Sequence, residues 1–264
     1  MLLPLLLLGS LGVIFGIILV VAEHTFRVEE DPRLKEILSL LPGANCGACG
    51  FPSCEACARQ IVEGKAPVNS CVMGGEEVTE KICRVMGVSM EKVERKVAVI
   101  NCNVDNLTRK IQADYQGIQT CQAAHLVMGG GMSCAYGCLG FGDCMEVCPV
   151  EAISLKDGLP RIDREKCIGC GRCVEVCPRK VIELIPRHKP LVWVACSNPE
   201  PGKKVREVCK KGCIACKVCE KLSGGLFEVS DFLSRLKYEE ISHKEVDWEK
   251  LVEKCPTGCI LKED

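Results

Sequence analysis

The chain has 264 residues and a net charge of −1 from 34 basic and 35 acidic side chains, and it carries 23 Cys against only two Trp, three Tyr and six Phe. Balanced charge gives no bulk electrostatic case for nucleic acid, and that class of partner is excluded. So few aromatics leave small units with thin cores that need staples, and the cysteine spacing decides between disulfides and metal ligation.

Residues 2–22 contain no ionisable side chain. At helical rise these 21 residues reach roughly 31 Å, enough for a bilayer core. A cleaved signal would carry a basic stretch at its start and a small-x-small cleavage site, and neither is present. Residues 1–26 therefore read as a retained anchor contacting lipid through 2–22. Arg27, Arg33 and Lys35 flank only its C-terminal end. The positive-inside rule then puts the bulk of the chain on the cytoplasmic side of the inner membrane. Without charged or polar ligands the anchor is no ion pathway by itself.

Asp31 and Pro32 suit the cap and first position of a short helix. The run Gly43-Ala-Asn-Cys46-Gly-Ala-Cys49-Gly-Phe-Pro-Ser-Cys54 follows, and its glycines let backbone approach a bulky group closely. Cys71, before Gly74-Gly75, can close that set, while Cys57 competes with Cys54 one turn along a helix predicted over 52–63. Residues 27–90 thus read as a mainly helical unit. A connecting α/β segment, 91–132, carries a strand over 96–100 and a helix over 117–128. Gly129-Gly130-Gly131 fails the strand-and-helix context of a phosphate loop and reads as a flexible connector.

The most specific signal is Cys167-x2-Cys170-x2-Cys173-x3-Cys177-Pro178. This is the run by which two-cluster ferredoxins ligate [4Fe-4S] cubes, the fourth cysteine serving the other cluster. Cys167, Cys170 and Cys173 are then completed by Cys148, which also precedes a proline. The related run at 138–148 has Phe141 where Cys170 stands, so Cys134 is expected to supply the missing thiolate beside Cys138, Cys144 and Cys177. Residues 133–190 form a two-cluster unit on this reading. In 191–264 Cys213-x2-Cys216-x2-Cys219 repeats the motif with Ser223 replacing its fourth cysteine, and Cys255-Pro256 supplies one from downstream. That unit reads as a degenerate ferredoxin-like domain with one cluster. Cys209 competes with Cys216, because Cys209, Cys213 and Cys219 repeat the spacing of Cys134, Cys138 and Cys144. Cys57, Cys83, Cys102, Cys121, Cys196, Cys209 and Cys259 remain as buried thiols, or as the source of a fifth metal site.

The anchor, the Gly-x2-Cys-Gly-x-Cys-Gly-Phe-Pro-x-Cys signature and the run Cys134-x-Tyr-Gly-Cys138-Leu-Gly-x-Gly-Asp-Cys144 together resemble the B-subunit family of the Rnf complex, over essentially the whole chain. The resemblance implies small α+β iron–sulfur domains: a single transmembrane helix, a mainly helical [4Fe-4S] domain, then ferredoxin-like domains. It implies a first cluster on Cys46, Cys49, Cys54 and Cys71, and with the three sets above four clusters are expected. It further implies a component of a redox-driven, Na⁺- or H⁺-transporting ferredoxin:NAD⁺ oxidoreductase. Soluble ferredoxin would donate electrons, and partner subunits would carry flavin, NAD and ion transport. Two alternatives are an electron-transfer polyferredoxin of another membrane oxidoreductase, such as a hydrogenase, and a metal-stabilised scaffold without a redox role. The chain has no Rossmann fingerprint, and its four histidines are scattered.

Overall fold

The computed structural model describes residues 2–25, 31–90, 94–104 and 108–263. Helix α1 (Leu2–Thr25) has no buried residue between Leu8 and Thr25. Its 24 residues extend about 36 Å, so it is long and apolar enough to cross a bilayer. Arg27 lies outside the described residues.

Three helices follow: α2 (Pro32–Leu40), α3 (Cys54–Val62) and α4 (Gly75–Met86). Asp31 caps α2 by accepting from the Arg33 amide at 2.9 Å. Ser53 Oγ accepts from Ala56 N at 3.1 Å, so α3 starts at Cys54 rather than at 52 as expected. Ile37, Ile61 and Ile82, buried to 1% exposure or less, form the centre of this small core with Cys57 and Ala58.

The remainder is one topology used twice. Strand β1 (Lys96–Ile100) pairs antiparallel with β4 (Ile182–Pro186), and between them in sequence lies the hairpin β2 (Ile153–Lys156)–β3 (Leu159–Ile162). In the second copy β5 (Leu191–Val194) pairs with β8 (Ile260–Glu263) around the hairpin β6 (Phe227–Ser230)–β7 (Leu233–Leu236). The expected boundary at 132/133 is therefore corrected: β1 belongs to the sheet of the first ferredoxin-like unit. Short helices flank the cysteine loops. They are α5 (Cys121–Leu126), α6 (Asp143–Glu146) and α7 (Arg172–Val176) in the first copy, and α8 (Gly202–Val208), α9 (Val218–Leu222) and α10 (Trp248–Glu253) in the second. The helix expected over 117–128 is shorter because Thr120 caps it and Val127 leaves it extended.

Strand alternation explains how the copies join. Ala98 and Ile100 face the cysteines of their own unit, while Val97 and Val99 face the other sheet. Val192 and Val194 likewise turn inward, while Leu191 and Trp193 meet Val97 and Val99 in a shared core. Trp193 Nε1 donates to Ile100 O at 3.1 Å, Arg164 sits 5.0 Å over the indole, and its Nη1 donates to Ala98 O at 2.8 Å. The glycine run is no loose connector. Gly129 O accepts from Arg179 Nη2 at 2.9 Å, and a Cβ on Gly131 would collide with the Ala113 carbonyl.

Candidate metal centres

Three loops share one backbone device. The second and fourth residues after the first cysteine are left-handed at Gly140 and Gly142 after Cys138, at Gly169 and Gly171 after Cys167, and at Ala215 and Lys217 after Cys213, with φ between 54° and 92°. These turns curl the chain so that successive cysteines face one centre. In the second loop a side chain at Gly169 would strike the Lys96 carbonyl, so glycine there is a steric requirement as well. Alanine and lysine in the third loop cost about 1–2 kcal/mol each by adopting that conformation, and such strain collects at functional sites.

The cysteines gather around distinct cavities. Cys46, Cys49, Cys54, Cys57 and Cys71 line one within the helical unit. Asn45 Oδ1 accepts from the Cys54 amide at 2.8 Å and fixes that residue at the rim. Cys57 is 1% exposed and packs among the isoleucines, so burial pushes its thiol up to about 12. A second cavity is lined by Cys121, Cys138, Cys144 and Cys177. This corrects the expectation for Cys134, which faces a different cavity with Cys102, Cys196 and Cys209. The physical reason lies in Asp143, 8% exposed, whose carboxylate accepts from Cys121 N at 2.7 Å and Gln122 N at 3.1 Å. That charged cap docks the start of α5 beside α6 and brings Cys121 to the cavity that Cys138, Cys144 and Cys177 line.

Cys148, Cys167, Cys170 and Cys173 interact electrostatically with one another. Ala98 N donates to Cys167 Sγ at 3.5 Å and Ala152 N to Cys148 Sγ at 3.3 Å. In the second copy Cys213, Cys216, Cys219 and Cys255 line a further cavity with Cys259, while Cys209 does not reach it. Cys255 and Cys259 lie 3.7 Å apart, and the hydrogen bond from Cys259 holds Cys255 down to about 5. Elsewhere burial dominates: it lifts Cys144 and Cys173 up to about 12 and Cys138 further. Such thiols give up their protons only to a cation that replaces them, as iron does.

The donor sets fit cubane clusters: they are all-thiol, in groups of four or five, those of Cys46, Cys138 and Cys213 lining a cavity each, with backbone N–H groups aimed at sulfur at Cys148 and Cys167. Neighbouring sets also touch. Cys144 interacts with Cys173, and Arg172 Nη1 donates to the Cys46 carbonyl, linking the first ferredoxin-like unit to the helical one.

Comparison with known proteins agrees with this geometry. Residues 41–73 match a family model described as "Putative Fe-S cluster", and residues 160–183 match one described as "4Fe-4S binding domain". The B subunit of the ion-translocating oxidoreductase complex of Methanosarcina acetivorans is 40% identical over 88% of this chain and 89% of its own length. The B subunit of the Na⁺-translocating ferredoxin:NAD⁺ oxidoreductase complex of Acetobacterium woodii is 39% identical over 98% of this chain and 77% of its own. The chain belongs to this B-subunit family. The proton-translocating counterpart of Clostridium ljungdahlii is 40% identical over 77% of this chain and 72% of its own. Membership sets aside the hydrogenase-type polyferredoxin and the redox-inert scaffold.

Sequence reasoning missed Cys121 because no cysteine-pair spacing marks it. Asp143 was the available signal, a buried carboxylate beside Cys144 that needs donors. The repeated Cys-x3-Cys-x5-Cys spacing that begins at Cys134 and at Cys209 is the imprint of the duplicated unit.

Proposed function

We propose that this chain is the electron-entry component of a membrane-bound, ion-translocating ferredoxin:NAD⁺ oxidoreductase. It takes electrons from reduced soluble ferredoxin and relays them to partner subunits. The observation that carries the reading is the left-handed loop used three times, each with cysteines facing a common centre. Four [4Fe-4S] clusters follow: Cys46, Cys49, Cys54 and Cys71; Cys121, Cys138, Cys144 and Cys177; Cys148, Cys167, Cys170 and Cys173; and Cys213, Cys216, Cys219 and Cys255. When bound, each supplies a one-electron carrier. Cys54 is preferred to Cys57 because core packing already accounts for the latter. Cys255 is preferred to Cys259 because Cys255 precedes a proline, as Cys177 does.

The chain's own residues hold, space and shield these carriers. Backbone N–H groups of the loops point at sulfur, and Arg172 ties the set at Cys173 to the unit of Cys46. Helix α1 anchors the helical unit at the membrane, with Arg33 and Lys35 on the cytoplasmic side. Electrons then enter at the C-terminal repeat and leave through the cluster of Cys46. The test uses the assembled complex in membrane vesicles. Cys49→Ala should leave reduction of the downstream clusters by ferredoxin intact, followed by EPR, and should abolish ferredoxin-dependent NAD⁺ reduction. Full NAD⁺ reduction in that variant would overturn the reading.

A further inference from the structure

We propose that Cys102, Cys134, Cys196 and Cys209 hold a fifth [4Fe-4S] cluster, at the seam between the two ferredoxin-like copies. The inference rests on the reading that the other cysteine sets hold cubanes. The four side chains line one cavity, and each copy contributes two of them. Cys102 lies two residues beyond β1 and Cys196 two residues beyond β5. Those strands belong to the two sheets that share the core of Val97, Val99 and Trp193, and their ends are pinned by Trp193 Nε1 on Ile100 O and by Ser197 Oγ on Asn101 O at 2.8 Å. Cys134 and Cys209 each precede the first cysteine of their own loop, Cys138 and Cys213, by four residues. The site is therefore a product of the duplication, two equivalent ligands from each copy, which is why no run of linear sequence spells it.

Inert packing does not account for these thiols, because Cys102 and Cys134 receive N–H donors and the other two have backbone amides beside them. Cys138 N donates to Cys102 Sγ at 3.4 Å, and Asn198 Nδ2 approaches Cys134 Sγ at 3.8 Å. Backbone amides of Tyr136, Asn198 and Lys211 lie close to Cys134, Cys196 and Cys209 in turn. A neutral thiol is a weak acceptor, whereas a cluster thiolate is held and tuned by such bonds. Asn198 is 2% exposed; its Oδ1 accepts from Glu200 N at 2.8 Å, which holds the amide with its Nδ2 between Cys134 Sγ and Glu200 Oε2. Arg109, Lys110 and Lys211 also line it and offset the negative charge of four thiolates.

Position supplies the reason for a redox group over an isolated ion. Cys102 adjoins Cys138 of one proposed cluster, and Cys196 adjoins Cys213 of another. The fifth site therefore joins the C-terminal cluster to the two-cluster unit, and the five sets form one line ending at Cys46.

Native mass spectrometry of the full-length chain, purified in detergent and reconstituted anaerobically, counts clusters per molecule. The most highly loaded species should carry five cubanes, about twenty irons, and no zinc. C102S/C196S should lower that maximum to four while the EPR signals of the remaining clusters persist. C83S, which changes a cysteine outside every proposed set and every cavity that the sets line, should leave it at five. A wild-type maximum of four, or five retained in C102S/C196S, would overturn the fifth site and leave the other four standing. One zinc with four cubanes would also overturn it. Should C102S/C196S fail to fold, C134S/C209S removes the other half of the same site and must give four, and the wild-type count decides independently. A chain that binds no iron at all would instead overturn the reading of the other sets.

Discussion

Removing the Asp143 carboxylate should empty one cluster site without touching its thiols. The side chain makes two charge-assisted bonds to the amides that open α5, at 2.7 and 3.1 Å. Bonds of that kind contribute about 1.5–3 kcal/mol each when buried. Cys121 is half-buried and Gln122 exposed, so water can replace part of the second bond. The Asp143→Ala loss is then about 2–4 kcal/mol. At ~1.4 kcal/mol per decade this lowers the ratio of docked to undocked Cys121 by a factor on the order of 30 to 1,000. Asp143→Asn keeps one acceptor oxygen and turns an NH₂ toward the second donor, so its effect should fall in between. Iron and sulfide analysis with EPR of the reduced protein is the assay. Asp143→Ala should lack about four irons and one cluster signal, the others remaining. If it keeps full iron with an unchanged thermal transition, Cys121 is not held by Asp143 and its assignment to the set of Cys138 fails.

Ala215→Gly and Lys217→Gly should stabilise the C-terminal unit. Relief of left-handed strain, about 1–2 kcal/mol per residue, exceeds the ~0.4–1 kcal/mol that glycine's freedom adds to the unfolded chain. Bleaching of cluster absorbance in that unit should move up by about 2–4 °C per substitution, and a fall would contradict the strain argument. Arg172→Ala should leave iron content unchanged, but it removes the bond to the Cys46 carbonyl. A loss of about 1–3 kcal/mol at that junction should slow ferredoxin-dependent NAD⁺ reduction in vesicles several-fold. An unchanged rate would mean the two units are held by other contacts.

The parts of the site legible in sequence were those written locally. The loops at 138, 167 and 213 announce themselves because left-handed turns and cubane geometry demand closely spaced cysteines, and glycines mark two of the three. Strand β1 was legible from its apolar run, but its pairing partner was not, since β4 lies more than 80 residues away in sequence. The same holds for the site ligands. Replacing Cys134 by Cys121 depends on which way α5 is drawn, and the force that draws it is a carboxylate 22 residues downstream. The cavity at Cys102 needs both copies to be folded and packed back to back before its ligands meet.

The duplication also accounts for the proposed single cluster in the C-terminal copy against two in the first. Cys144 and Cys219 occupy the same position in α6 and α9, so Ser223 stands where Cys148 does. Its Oγ accepts from Phe227 N at 3.0 Å, just as Cys148 Sγ accepts from Ala152 N. Counting back from Cys177 and Cys255, Leu251 replaces Cys173 and Trp248 replaces Cys170. Leu251 is 2% exposed and packs with Phe227, fully buried, and with Trp248. Each such side chain contributes about 1.5–3 kcal/mol on burial, so ordinary hydrophobic packing occupies the volume a second cube would fill. The polar ligand became a hydroxyl that preserves its backbone bond, and the interior ligands became core. The remaining cysteines of that copy face two ways: Cys213, Cys216, Cys219 and Cys255 inward, and Cys196 and Cys209 toward the seam. On the proposed reading the copy holds one carrier fewer than the first and still has the contacts that connect it to the rest of the line.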